Sequence, residues 1–149
     1  MGADLYIEKL LPRDFKGTGF RTNIKAGYFW DAYNYGNLIW QFGLSYWKDV
    51  AEKFMTKDGR MSVMKAEDLL KELKKREPIF EKNMDDLLGG KNVVYDFETR
   101  GKKRIHRPHP DLKEKDREKL VASYRKSYRQ MQVFLRKAIE MKSTILCSV

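Results

Sequence analysis

The run Tyr28-Phe-Trp-Asp-Ala-Tyr-Asn-Tyr-Gly-Asn-Leu-Ile-Trp-Gln-Phe-Gly-Leu-Ser-Tyr-Trp47 holds nine of the chain's nineteen aromatic residues, including all three tryptophans. A buried ring of this kind encloses about 150–250 Å², so the block is either the core of a small domain or the wall of a binding site. Asp31 is placed to cap a helix running from about Tyr33 to Phe42, and Gly43 to end it. Ser45 then starts a second helix through Trp47, Val50, Ala51 and Phe54. Asn34, Asn37 and Gln41 fall at i, i+3 and i+7 and share a face. Polar groups among large rings cap helices, pair with buried backbone or face a ligand. The plain expectation makes Asp31 the cap. The alternative is a pocket at the helix start lined by Asp31, Tyr33 and Asn34, which would suit an enzyme cleft.

Upstream, Ala3 to Leu11 is a short strand or a helical turn, and Pro12 to Lys25 reads as a surface loop. Downstream, Thr56-Lys-Asp-Gly-Arg-Met-Ser62 is a turn, with Ser62 capping an amphipathic helix whose stripe is Val63, Ala66, Leu69, Leu70 and Leu73. Pro78 opens the next helix, through Phe80, Met84, Leu87 and Leu88, and Gly89-Gly90 stops it. Val93 to Phe97 has the composition of a short strand, with Leu5-Tyr-Ile7 as its expected partner. Residues 100–110 read as a basic loop broken by prolines, and a long helix follows from about Asp111 to Lys142. Its seam is Val121, Tyr124, Tyr128, Met131, Leu135 and Ala138, which suits packing inside the domain or across a dimer interface. The expected fold is one mainly α, compact helical domain over residues 1–149, with a long C-terminal helix and at most one small two-stranded β element.

At 149 residues the chain is long enough to bury a core, and 42% hydrophobic with 35% charged residues suits an ordered protein. The single cysteine, Cys147, excludes an intramolecular disulfide and fits a reducing compartment. No apolar run has the length of a membrane span, and the opening lacks a signal-peptide layout. Met1-Gly2 would suit myristoylation, but Tyr6 stands where Ser or Thr is needed. The expectation is a cytoplasmic protein that does not meet a membrane.

The net charge of +10 is unevenly laid out. Residues 1–99 carry sixteen Lys or Arg against sixteen Asp or Glu, whereas residues 100–142 carry fifteen against five. A basic protein whose whole excess sits in one segment presents a directed field, and an anionic partner is expected there. Arg100, Lys102, Lys103, Arg104 and Arg107 crowd the loop, and Arg125, Arg129 and Arg136 form a stripe on the helix beside Tyr124 and Tyr128. Guanidinium forks suit phosphate oxygens, and tyrosines beside them can stack on bases. The plain alternative is a solvated face, with both tyrosines in the core seam.

Other chemistry finds little support. Aligning Gly59 with the glycine of a calcium loop puts Phe54 and Lys65 at ligand positions, and neither can bind calcium. His106 and His109, the only histidines, sit in a proline-rich stretch with no cysteine partner, so no metal site and no cofactor is expected. No phosphate-loop, dinucleotide or serine-nucleophile signature is present.

Met1-Gly-Ala-Asp-Leu-Tyr-Ile7, Asp31-Ala-Tyr-Asn34, Gly43-Leu-Ser-Tyr-Trp-Lys-Asp-Val50 and Ile145-Leu-Cys-Ser148 resemble the marks of a group of small bacterial and phage-type proteins. The resemblance implies one intact domain over most of the chain and assigns no activity. The leading expectation is a non-enzymatic binding protein whose basic loop and helix engage nucleic acid or a nucleotide. The second is a protein-interaction module, such as a small phage-type inhibitor or adaptor docking on an acidic partner, anchored by Trp30, Tyr35 and Tyr46.

Overall fold

The computed structural model describes residues 2–11, 21–32, 37–95, 104–108 and 113–148. These form a mainly helical protein built on a small antiparallel sheet. Strand β1 (Gly2–Ile7) has β2 (Tyr28–Ala32) on one side and β6 (Ile145–Ser148) on the other, and β6 also carries β3 (Arg60–Met61). Ala3, Leu5 and Ile7 point inward from β1, opposite Asp31, Phe29 and Ile145. Residues two apart share a face of a strand, so one side of this sheet is apolar apart from Asp31. A Cβ at Gly27, just before β2, would lie 2.9 Å from Leu10, and its φ of +73° is one that side chains rarely adopt.

The helices cover that inner side. A one-turn helix α1 (Leu38–Gln41) is followed by a π-helical turn (Tyr46–Val50) continuous with α2 (Ala51–Phe54). Then come α3 (Val63–Lys75), α4 (Glu77–Leu88) and α5 (Glu114–Glu140). Between α4 and α5, β4 (Lys91–Tyr95) and β5 (Arg104–Pro108) form a separate two-stranded ribbon. Phe134 of α5 meets Phe29 with ring centroids 5.9 Å apart, joining helix to sheet. Tyr128 lies 4.8 Å from Phe42 and 5.5 Å from Phe80, and those two rings stack at 4.8 Å.

Several boundaries follow their local chemistry. The Ser45 side chain accepts from the Lys48 amide, and that of Ser62 from the Lys65 amide. Pro78 lies in the first turn of α4, and Gly89-Gly90 follow its end. Gly43, at φ +75°, closes α1, its N–H donating to Trp40 O while the Leu44 N–H reaches Ile39 O. That pair of bonds is the Schellman arrangement.

The β content exceeds the sequence expectation. β4 pairs with β5, not with Leu5-Tyr-Ile7, because both edges of β1 are taken by β2 and β6. The stretch read as a loop after residue 100 contains strand β5. The helix expected from Tyr33 is the four-residue α1, preceded by strand β2; residues 33–36 lie outside the described residues.

Candidate functional site

Asp31 sits on the inner face of β2 opposite Ala3 and is 3% exposed. Its Oδ1 accepts from the Leu38 amide at 2.7 Å, and its Oδ2 accepts from the Ile39 amide at 3.4 Å and the Tyr46 hydroxyl at 2.8 Å. The formal cap of α1 is Asn37, whose side chain accepts from the Trp40 amide at 3.1 Å. Together the two side chains take the first three amides of a helix too short to stand alone, and the carboxylate also complements the positive helix end. Asp31 therefore caps a helix as expected, but from a neighbouring strand. Burial pushes its carboxyl up to about 6, against the opposing pull of Leu38, Tyr46 and Ile39.

Among the described residues the Asp31 carboxylate is buried and engaged by these three donors; Tyr33 and Asn34, its expected companions in a pocket, lie outside the described residues. Gln41 bonds the Tyr124 hydroxyl, whose ionisation burial and the Asp31 charge push far above the usual phenol range. Asn83 of α4 donates to Gln41 O at 2.7 Å. The polar residues among the rings thus tie α1 to its surroundings. Cys147 is buried on β6, and burial pushes its thiol up to about 12, away from nucleophilic chemistry at neutral pH.

The anchors named for protein docking are not all at the surface. Tyr46 is buried, Trp30 is half-buried and Tyr35 lies outside the described residues. Trp47 is the exposed tryptophan, with the Lys48 ammonium 4.7 Å from its ring centre.

The basic segment begins on the ribbon. Arg104 pairs with Tyr95 and Arg107 with Asn92 in its ladder, while Arg100, Lys102 and Lys103 lie outside the described residues. On α5 the apolar seam faces inward: Val121, Tyr124, Tyr128, Met131, Leu135 and Ala138 are all buried within the chain. Tyr124 and Tyr128 are 6% and 9% exposed, so their rings are core residues and do not offer a stacking surface. The Tyr128 hydroxyl donates to Glu77 at 2.7 Å.

The cations of α5 divide into two groups. Arg125 grips Glu81 of α4 with both terminal guanidinium nitrogens, at 2.7 and 2.9 Å. Arg117 donates to Leu88 O at the end of α4, and Lys137 to Ile24 O. In contrast, Lys115, Lys119, Lys126, Arg129 and Arg136 are exposed and form no ion pair among the described residues. With Ala122 and Val133 these five complete an outward row at alternating spacings of four and three, from 115 to 136. No Asp or Glu occurs on α5 between Glu118 and Glu140. Lys115, Lys119 and Lys126 were not singled out from sequence. Their signal was the same four-and-three spacing that marks the buried seam, displaced to the other side of the helix.

No family model, curated protein or solved structure matches this chain.

Proposed function

We propose that this chain is a non-enzymatic binding protein that engages a phosphate-bearing ligand, nucleic acid or a nucleotide, through the basic segment from Arg100 to Lys142. The observation that carries the reading is the outward face of α5 between Glu118 and Glu140, a stretch without Asp or Glu, where Lys126, Arg129 and Arg136 are exposed without carboxylate partners among the described residues. Unpaired surface cations on a rigid element keep their field for an external anion, whereas Arg125 is already neutralised by Glu81. Arg100, Lys102, Lys103, Arg104 and Arg107 belong to the same proposal as further phosphate contacts.

The test is equilibrium binding of fluorescent ATP and of labelled oligonucleotides to the full chain at low and high salt. The proposal expects at least one of these ligands to bind, with affinity falling steeply as salt rises, because each phosphate contact releases counterions. No binding at low salt, or an affinity indifferent to salt, would contradict it.

A further inference from the structure

Resting on that reading, we infer that the α5 row binds the backbone of duplex nucleic acid without regard to sequence, rather than a single nucleotide or a single strand. The row is too long for a nucleotide. Lys115 and Arg136 lie twenty-one residues apart on one helix, so the row extends about 32 Å at 1.5 Å per residue. Cations strung along such a distance cannot converge on one nucleotide, whose phosphates all fit within the reach of one or two side chains. An extended polyanion is the ligand that meets them together.

The row's shape suits a duplex better than a single strand. Proteins that hold single strands without sequence preference use a positively charged groove with aromatic platforms on which bases stack. The α5 row is the convex side of a cylinder, and the tyrosines of the same helix are buried on its other side. A helix with its side chains is about 10–12 Å across, and the major groove of a duplex is about 12 Å wide with phosphates along both walls. The middle of the row, Lys119 to Arg129, covers about 15 Å and suits that groove. Lys115 and Arg136 then extend toward the phosphates on either side.

The row's composition suits a backbone. The seven positions of the row are Lys, Arg, Ala and Val, without the Asn or Gln that pair with adenine edges; Glu118 and Ser123 are exposed beside it, and Gln130 and Gln132 are only half-exposed, on the flanks. Lysines and arginines that reach the phosphates on the groove walls position the backbone and carry no base information directly; of the row positions from Lys119 to Arg129 only Arg129 has a fork matched to a guanine edge.

The experiment measures anisotropy of two 20-base-pair duplexes of unrelated sequence, the matching single strand and fluorescent ATP. Wild type is compared with Lys126→Gln/Arg129→Gln and with the charge-keeping Lys126→Arg/Arg129→Lys, each checked by thermal melting. Both duplexes should bind alike and more tightly than the single strand, with ATP weakest. Five phosphate contacts give a slope of log affinity against log salt of about −4.5. The glutamine pair should reduce that slope by about 2 while melting as wild type does, and the charge-keeping pair should retain it. Binding of ATP without the duplex overturns this inference while the phosphate reading stands. Duplex binding that ignores Lys126 and Arg129, or a single strand bound as tightly, also overturns it. No binding to any of the three removes both.

Discussion

The aromatic block and the last helix are the two regions richest in groups that can meet a partner, and they are built in opposite ways. In the block, Asp31, Asn37, Gln41 and Ser45 are buried, and Asp31, Asn37 and Ser45 accept from backbone amides of α1 or the π-helical turn. In α5 the apolar seam is inside and the cations outside, with little mixing. The difference follows from element length. A helix leaves about four amides unsatisfied at its start whatever its size, so the four-residue α1 draws its polar neighbours into capping. A helix of 27 residues has the same two ends and many more side chains left over for a partner.

If that contrast is right, damage to the two regions should separate stability from binding. The largest loss of stability is expected from Phe42→Ala, which empties the stack between Phe80 and Tyr128 and should cost about 3–5 kcal/mol in urea unfolding. Asp31→Ala comes next, at about 2–3 kcal/mol, because it leaves the Leu38 amide and the Tyr46 hydroxyl buried without their acceptor.

Asp31 also predicts a pH dependence. Its carboxyl titrates near 6 in the folded chain and near 3.8 when unfolded, so the folded state holds the proton more tightly. Asp31's contribution is therefore most favourable below about pH 4 and is lost as pH rises to about 6, by roughly 3 kcal/mol at most. Asp31→Asn should flatten that decline, measured as the difference from wild type across pH 4–7. An unchanged profile would remove Asp31 as its source.

Smaller effects are expected on α5. Arg125→Ala should cost about 0.5 kcal/mol, since the pair with Glu81 is largely exposed. Lys126→Gln/Arg129→Gln should change stability by less than about 0.5 kcal/mol, although it falls in the same helix. A destabilisation well beyond that would mean the outward row supports the fold, and the contrast between the regions would fail.

The long periodic elements were legible in sequence. The stripes of α3, α4 and α5 and the stops at Gly43 and Gly89-Gly90 stand where the spacing put them, except that Leu88 is exposed at the end of α4 and Val63 and Leu70 are only half-buried on α3. The sheet was not, because β6 has four residues, too few for a period, and its partner β1 lies at the far end of the chain. Strand β5 was hidden by Pro108 and by its charges, which suit a loop equally well. At the candidate site, Tyr124 and Tyr128 could be read as seam or as stacking surface, and only the burial of that side of α5 decides between them. The Asp31–Tyr46 bond joins residues fifteen apart through a π-helical turn, which no local spacing announces.

The outward row of α5 as a phosphate-binding surface is tested most directly by following backbone amide resonances while a short duplex is added at low salt. The largest shifts are expected on α5 at Lys119, Ala122, Lys126 and Arg129, with the Tyr28 to Trp47 block little changed. Shifts centred on that block, with the outer positions of α5 unmoved, would contradict this assignment.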